Sequence, residues 1–312
     1  MRLLAVLALF PLMAHGEGPA APNTLSKERI TEGWISLFDG ETTFGWTTEG
    51  AVTVEKGVLK IGGDQVSSVL WNHPTIPGEL RYSELLEGEW KAKKMTFENG
   101  KNPLKVGVAP GKKSEFRDIH FKPAAMKDLF NGKDLTGWKE NAAKKASVFS
   151  VTKEGWLNVK NGPGDLQTTD QWADFLLQLE CISNGKHLNS GIFFRAIPDQ
   201  YQQGYEAQIR NEWIGEDRTK PFDFGTGAIY RRVPARKVVS TDGEWFTMTV
   251  LAKGKRLSTW VNGYPVVDWL DDRKEADNGR NGAKTSKGAI SIQGHDPTTD
   301  LSFRNIRILS LD

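Results

Sequence analysis

The sequence has a single cysteine, Cys181, and almost no net charge, with 41 Lys and Arg residues against 39 Asp and Glu residues. One cysteine can form neither an internal disulfide nor a thiolate metal site, which excludes disulfide-stabilised scaffolds and zinc fingers. A net charge of +2 provides no field that would recruit nucleic acid or an anionic membrane surface. We therefore expect no nucleic-acid partner.

Long apolar runs are also lacking, except in the first residues. Met1-Arg2 precedes an apolar run over residues 3–13, and Ala14-His15-Gly16 follows as a small-x-small cleavage pattern. The run is shorter than the roughly 20 apolar residues that span a bilayer, so it predicts a signal peptide over residues 1–16. We expect an exported protein, periplasmic or extracellular, with a mobile leader over residues 17–32 and no membrane segment after cleavage.

The chain contains an internal repeat. Its landmarks, with the first copy before the second, are residues 36–40 (SLFDG) and 128–132 (DLFNG), Gly45-Trp46 and Gly137-Trp138, Gly88-Glu89-Trp90 and Gly243-Glu244-Trp245, and residues 115–119 (EFRDI) and 302–306 (SFRNI). Landmarks that recur in one order predict a duplicated unit. We expect a shortened, non-catalytic first copy over residues 33–122 and a full second copy over residues 126–311 that folds by itself.

The second copy reads as short strands throughout. Residues 175–181 (FLLQLEC) alternate, so Phe175 and every second residue after it should be buried, with Gln178 and Glu180 on a solvated face. Asn262-Gly263 separates two further strands, and Asn-Gly is a strong hairpin signal because both turn residues take positive φ. Roughly ten such strands predict an all-β fold of the sandwich or jelly-roll type.

Candidate site residues are those that alternate away from the predicted core. In residues 204–210 (GYEAQIR) and 288–295 (GAISIQGH), the apolar positions point inward and the polar ones outward. The candidates are Glu206, Gln208, Gln293, His295, Asn189, Arg195 and Tyr230. The first copy has no counterpart to this set, so any activity belongs to the second copy. The polar segment over residues 271–287 is expected to be mobile and to form a rim over the site.

A string of short motifs in the second copy resembles one known family. The motifs are L-F-N-G with G-W, residues 189–195 (NSGIFFR), 204–209 (GYEAQI), 226–230 (TGAIY) and 261–263 (VNG), and the closing Q-G-H and F-R-N-I. Together they resemble the 3-keto-disaccharide hydrolase domain family over about residues 126–311. The resemblance implies a concanavalin-like or LamG-like jelly roll that acts on sugars whose C3 hydroxyl is oxidised to a ketone.

The resemblance also implies a site and a mechanism. A ketone acidifies the C2 proton, so a base can remove it, the enolate expels the aglycone, and water then adds. Glu206 or His295 would be the base, and Arg195 or a divalent metal would stabilise the enolate oxygen. The matched amides Gln208 and Gln293, with Asn189 and Tyr230, would bind the carbohydrate substrate. No cofactor is certain.

Two other functions remain open at this point. The first is a conventional glycosidase, which needs two carboxylates flanking the bond, and Glu206 with Glu180 is the best pair in the sequence. The second is a non-catalytic carbohydrate-binding protein that stacks sugars on some of its 11 Trp residues. A polar pocket would favour an enzyme, whereas an exposed aromatic platform would favour the binding protein.

Overall fold

The structure is a computed structural model that describes residues 21–98 and 103–312. The signal peptide predicted over residues 1–16 lies outside these residues. Within the described ranges the α-helical element is α1 (Lys27–Thr31), a 3₁₀ turn spans Phe222–Phe224, and the remaining regular structure is antiparallel β. No helix there is both long enough and apolar enough to cross a bilayer. The expected all-β class is confirmed.

The first unit, residues 33–122, is a small sandwich of two sheets. Its strands are β1 (Ile35–Ser36), β2 (Trp46–Glu49), β3 (Val52–Glu55), β4 (Val58–Ile61), β5 (Ser67–Pro74), β6 (Gly78–Leu86), β7 (Glu89–Phe97), β8 (Pro103–Val108) and β9 (Ser114–Pro123). A six-stranded sheet has the order β3-β4-β9-β6-β7, with β1 also paired to β9, and a three-stranded sheet has the order β2-β5-β8.

The second unit, residues 126–311, is a complete jelly-roll sandwich. Its strands are β10 (Lys127–Asp128), β11 (Trp138–Lys145), β12 (Val148–Val151), β13 (Leu157–Lys160), β14 (Gly164–Thr168), β15 (Phe175–Ser183), β16 (Ser190–Ala196), β17 (Tyr205–Ile209), β18 (Phe246–Lys253), β19 (Arg256–Val261), β20 (Tyr264–Leu270), β21 (Ala289–Gly294) and β22 (Asp300–Ser310). The eight-stranded sheet runs β12-β13-β22-β15-β18-β19-β20, with β10 on β22, and the five-stranded sheet runs β11-β14-β21-β16-β17.

The two units share one strand order. The first unit's β3-β4-β9-β6-β7 corresponds to β12-β13-β22-β15-β18, and its β2-β5-β8 corresponds to β11-β14-β21. What the first unit lacks are the counterparts of two hairpins, β16–β17 and β19–β20. This shared order supports the internal repeat predicted from the sequence, and it places the missing material at the ends of both sheets.

Tryptophans at the repeated landmarks make the same contacts in both units. The indole nitrogen of Trp46 donates to the Leu37 carbonyl at 2.6 Å, and that of Trp138 donates to the Leu129 carbonyl at 2.8 Å. Trp90 and Trp245 likewise each stack under an arginine, Arg117 at 4.2 Å and Arg304 at 4.1 Å. Because these indoles tie down the turn and the core, they are not available to stack on a sugar.

Both faces of β15 are buried, whereas the sequence predicts burial of one face only. The predicted core positions Phe175, Leu177, Leu179 and Cys181 all lie in the main hydrophobic core, which confirms the alternation. The prediction that Gln178 and Glu180 are solvated is wrong. The amide of Gln178 donates to the Gly33 carbonyl at 2.8 Å, and the Glu180 carboxylate accepts from Arg304 at 2.7 Å.

The first unit covers the outer face of the eight-stranded sheet. Four apolar side chains of that face, Leu176, Leu251, Trp260 and Leu309, belong to the hydrophobic core of the first unit. The Trp260 indole also donates to the Ser36 carbonyl at 2.9 Å. The two units therefore share a core, which argues against the expectation that the second copy folds by itself.

The leader is ordered from residue 21 onward, in contrast to the expected mobility over residues 17–32. The Asn23 amide donates to the Gly57 carbonyl at 2.8 Å, and its carbonyl oxygen accepts from the Asp118 backbone N–H at 2.8 Å. Ser26 caps helix α1 by accepting from the Arg29 N–H. These contacts fix the segment against the first unit.

The shared core predicts a specific stability effect. Leu251→Ala should cost about 2–5 kcal/mol of unfolding free energy, because it leaves a cavity between the units. Leu270→Ala, at a side chain that is 53% exposed, should change stability by no more than about 0.5 kcal/mol. Urea unfolding of the full chain measures both. A cost for Leu251→Ala no larger than that for Leu270→Ala would argue against the shared core.

Candidate active site

Six polar side chains share the outer face of the five-stranded sheet, which we call the polar face. They are Asp165 and Gln167 of β14, Ser291 and Gln293 of β21, and Glu206 and Gln208 of β17, and all six are buried. Their apolar neighbours Tyr205, Ala207, Ile290 and Ile292 point into the core, so the alternation predicted from the sequence is confirmed.

Strand register sets these side chains in two rows. Gln167 lies opposite Ser291, Ser291 opposite Phe193, and Phe193 opposite Glu206. In the next row Asp165 lies opposite Gln293, and Gly191 lies opposite Gln208. A Cβ at Gly191 would come within 2.5 Å of the Glu206 carboxylate oxygen Oε1. The glycine therefore leaves the space that this carboxylate occupies.

Glu206 lines a cavity of about 270 Å³. The pKa of its carboxyl is raised to about 8, mainly by burial and also by the Asp223 carboxylate, against the opposing guanidiniums of Arg280 and Arg231. The closest of these charges is Arg280, whose Nη2 lies 3.5 Å from Oε2 of Glu206. Glu206 can therefore exchange a proton near neutral pH, as a general acid or base must.

The segment over residues 271–287 forms the rim of this cavity, but it is not loose. The Asp271 carboxylate accepts from the Tyr205 hydroxyl at 2.6 Å and from Arg273 at 2.7 Å. Arg280 donates to the Gln202 carbonyl and lies over the Phe193 ring at 5.5 Å. These contacts order the segment, in contrast to the expected mobility. The order comes from buried polar contacts, since the segment has few apolar side chains.

Asp223 is a site residue that sequence alternation could not find. The Gln208 amide donates to the Asp223 carbonyl at 3.2 Å, while Oε1 of Gln208 is buried without a hydrogen-bond partner among the described residues. Asp223 lies in the 3₁₀ turn with φ 44°, a left-handed conformation that costs a non-glycine residue free energy. The turn therefore holds this carboxylate beside the polar face at some energetic cost.

Tyr201 is a second residue that the sequence did not indicate. Its hydroxyl donates to the Gly294 carbonyl at 3.2 Å, next to Gln293 in β21. Burial raises the pKa of Tyr201 to about 12, so the hydroxyl stays protonated and remains a donor. Neither amide atom of Gln293 has a hydrogen-bond partner of acceptable geometry in the described part of the chain. The centre of the polar face thus holds a fully buried amide whose hydrogen-bonding groups are unpaired among the described residues.

His295 lies at the far end of the polar face from Glu206. Its Nδ1 is 2.9 Å from Oδ2 of Asp296, and its Nε2 is 3.3 Å from Nδ2 of Asn189. The register places His295 four residues beyond Ser291, which pairs through Phe193 to Glu206. This corresponds to about 14 Å along the strands and about 10 Å across them. Glu206 and His295 therefore lie at different ends of the polar face, and the choice of either one as the base stays a prediction.

Arg195 is not part of the site, contrary to the sequence prediction. The register of β16 shifts between Phe193 and Ala196, and Arg195 itself has φ 45°, so the alternation is broken at this bulge. Its fully buried guanidinium donates to the carbonyls of Ala173, Gly254 and Lys284 and to the Asp174 carboxylate. With its donors engaged, Arg195 ties loops together and cannot stabilise an enolate.

Two further residues that the sequence singled out, Tyr230 and Glu180, lie in different parts of the second unit. The backbone N–H of Tyr230 donates to the Glu206 carbonyl at 2.9 Å, and its ring lines the Glu206 cavity, so Tyr230 joins the site. Glu180 does not, because it belongs to β15 of the other sheet, and packed sheets are about 10 Å apart. The carboxylate pair offered for a conventional glycosidase is therefore separated by the core.

Neither an aromatic platform nor a metal cluster accompanies this site. All 11 Trp residues lie within the described ranges, and each is buried or half-buried. No group of three or more His, Cys, Asp and Glu side chains is placed to hold a metal ion in residues 21–98 and 103–312.

Residues 125–309 match a family described as the 3-keto-alpha-glucoside-1,2-lyase-like domain. Two solved structures of a "putative glycosyl hydrolase" from Parabacteroides distasonis are similar to this chain. The first is 24% identical, with 60% of this chain and 94% of that chain covered and a TM-score of 0.49. The second is 25% identical, with 60% of this chain and 100% of that chain covered and a TM-score of 0.47. The carbohydrate-binding module CBM66 from Bacillus subtilis is 17% identical, with 56% of this chain and 96% of that chain covered and a TM-score of 0.41. The curated proteins gave no match.

The raised pKa of Glu206 predicts a pH-dependent stability effect. A carboxyl whose folded pKa lies above its unfolded value stabilises the fold at low pH and loses that contribution as the pH rises through about 8. Glu206→Gln cannot ionise, so we expect its melting temperature to equal that of the parent near pH 4.5 and to exceed it at pH 9. Thermal melts across this range test it.

Glu180→Gln is the matched control, because it makes the same chemical change at a carboxylate paired with Arg304. It should lower the melting temperature at both pH values. Melting curves of Glu206→Gln that run parallel to those of the parent across the whole range would contradict the pKa argument.

Proposed function

This chain belongs to the 3-keto-alpha-glucoside-1,2-lyase-like domain family, and we propose that it cleaves the glycosidic bond of a 3-keto glycoside by elimination. The observation that carries the proposal is the Glu206 cavity. It combines a buried carboxyl of pKa about 8 with a guanidinium 3.5 Å away, inside a pocket of about 270 Å³. A base and a cation in one pocket are what removal of a proton next to a ketone requires.

Glu206 is the proposed base. The C3 ketone makes the C2 proton acidic, and a carboxylate of raised pKa is a stronger base than an ordinary glutamate while still ionising near neutral pH. Removal of the proton leaves an enolate, whose electrons expel the C1 oxygen substituent and form the C1–C2 double bond. The proton held by Glu206 then passes to the leaving oxygen, and addition of water across the double bond completes a net hydrolysis.

Arg280 takes the role that the sequence assigned to Arg195. Its guanidinium reaches the Glu206 carboxylate from the rim and is held by the Gln202 carbonyl. An enolate oxygen formed beside Glu206 would lie within reach of the same group. His295 and Asn189 lie outside the lining of the Glu206 cavity, so we propose that they contact a part of the substrate that extends beyond this cavity.

A conventional glycosidase is the second candidate function, and one observation supports it. The Asp223 carboxylate raises the pKa of Glu206, so a second carboxyl group does approach the first. The carbohydrate-binding alternative is less well supported, since no Trp of the chain is exposed and the polar face leads into a pocket rather than a flat aromatic surface.

Substrate choice and one substitution separate these functions. With a 3-keto glycoside, Glu206→Gln should lower kcat by about 10² or more, the worth of a positioned acid or base. Glu180→Gln should leave kcat within about twofold, because that carboxylate lies on the opposite sheet. The pH profile of kcat/KM for the parent should rise to a plateau above about pH 8. Initial rates of aglycone release measure all three.

The unoxidised glycoside should not react, because its C2 proton is too weakly acidic for a side-chain base. Equal rates on oxidised and unoxidised sugars, together with a loss of activity in Asp223→Asn, would replace elimination with the glycosidase. Sugar binding without turnover of either compound would favour the binding protein.

Export is proposed as well, on the charge, apolar run and cleavage pattern of residues 1–16. The mature protein recovered from its native host should begin after Gly16. N-terminal sequencing tests this, and a mature chain that still begins at Met1 would contradict it.

A further inference from the structure

The Glu206 cavity holds more positive charge than the proposed reaction needs. Its ionisable lining consists of the single carboxyl Glu206 and three arginines, Arg231, Arg232 and Arg280, besides the tyrosines. The nearest other carboxylates are already paired, Asp271 with Arg273 at 2.7 Å and Asp223 with Arg210 at 3.7 Å. An uncharged sugar would leave this excess of guanidinium groups uncompensated in a small pocket.

Two of the three arginines donate hydrogen bonds to other groups of the protein. Arg280 faces Glu206 and donates to the Gln202 carbonyl. Arg232 donates to the carbonyls of Arg280 and Arg231, so it joins the two loops of the rim. Burial, with the neighbouring Arg273 and Arg280 charges, lowers the pKa of Arg232, as expected where cations crowd together.

Arg231 is different, because its guanidinium donates no hydrogen bond to a residue in the described part of the chain, although its charge acts on the Glu206 carboxyl. Its recorded contact is with the ring of Tyr230, at 5.4 Å. The side chain is solvent-exposed at the cavity mouth, where a ligand can reach it. A guanidinium presents a rigid fork of donors that matches a carboxylate bidentately.

The backbone around Arg231 fixes its position relative to Glu206. The N–H groups of Arg232 and Val233 both donate to the Ile229 carbonyl at 2.9 Å, which closes a tight turn. The turn is fastened to β17, since the Tyr230 N–H donates to the Glu206 carbonyl at 2.9 Å. Arg231 itself has φ 58°, a conformation that a non-glycine residue adopts at a cost. The turn therefore holds the backbone of Arg231 next to the strand that carries Glu206.

We propose that the substrate of this site is an acidic 3-keto glycoside whose carboxylate pairs with the Arg231 guanidinium. The inference rests on the proposed function for the 3-keto group, while the acidic group follows from the charges of the cavity. The carboxylate has two possible origins, the sugar (a uronic acid) or the aglycone. The chemistry of recognition is the same in both cases, and the test distinguishes them.

Three substrates make the test: phenyl 3-keto-glucoside, phenyl 3-keto-glucuronide and 4-carboxyphenyl 3-keto-glucoside. The parent should cleave one of the two acidic compounds with a kcat/KM at least about tenfold above that of the neutral one, since hydrogen bonds to a charged group are worth this much or more. Arg231→Gln should lower the ratio of kcat/KM for that acidic compound to kcat/KM for the neutral one by about 10- to 100-fold. The ratio is the readout because Arg231 also acts on Glu206, which both substrates use. Arg231→Lys should retain part of the preference.

Lys274→Gln is the matched control. It removes one positive charge from an exposed residue of the rim segment over residues 271–287, outside the cavity lining. It should leave the preference among the three substrates unchanged. A loss of preference in Lys274→Gln equal to that in Arg231→Gln would assign the effect to net charge and overturn the role of Arg231.

A binding measurement tests the acidic-substrate inference independently of the proposed reaction. Calorimetry on Glu206→Gln should detect tighter binding of phenyl glucuronide or 4-carboxyphenyl glucoside than of phenyl glucoside, and the added Arg231→Gln should abolish the difference. If the parent cleaves the neutral 3-keto compound as well as both acidic ones, the acidic-substrate inference is wrong and the proposed reaction stands. If no 3-keto compound is cleaved but the carboxylate-dependent binding is lost with Arg231, the reaction is wrong and the acid-binding site stands.

Discussion

An apolar outer face on the eight-stranded sheet is the constraint on which the rest of the structure depends. Leu176, Leu251, Trp260 and Leu309 cannot face water without cost, and the first unit buries them in a core that it shares with the second. Polar contacts fix the docking, as the Asp268 carboxylate accepts from Asn72 of the first unit at 2.7 Å. With one outer face of the sandwich covered by the first unit, the Glu206 cavity lies at the other outer face, on the five-stranded sheet.

The difference between the two units explains why only one carries a site. The first unit keeps the strands that complete a minimal sandwich and lacks the counterparts of β16–β17 and β19–β20. The β16–β17 hairpin supplies Glu206 and Gln208, and its Gly191 leaves room for the carboxylate. Without this hairpin the three-stranded sheet of the first unit has no strand that corresponds to the one carrying Glu206 and Gln208. The first unit accordingly serves as a cover for the second.

Strand periodicity predicted the all-β fold and the inward and outward positions of β15, β17 and β21, because alternation is a local property of each strand. Periodicity failed where the position of a side chain depends on other parts of the chain. The bulge at Arg195 turns that side chain away from the polar face, and only the shifted register between Phe193 and Ala196 reveals it. Gln178 is buried because of a separate unit, and Arg280 and Asp223 come from loops that have no periodicity. The distance between Glu206 and His295 likewise depends on strand order, which alternation does not encode.

The electrostatics of Glu206 reflect a balance between burial and the arginines. A guanidinium in close bidentate contact would hold the carboxyl ionised and make it a weak base, yet burial outweighs the Arg280 charge at 3.5 Å and the pKa rises to about 8. In the proposed reaction, proton transfer neutralises Glu206 as negative charge develops on the enolate oxygen. Arg280 then faces a neutral acid and a new anion in place of a carboxylate and a ketone. The same guanidinium therefore has a charged partner before and after the transfer, so it need not move when the substrate ionises, and little reorganisation opposes the step.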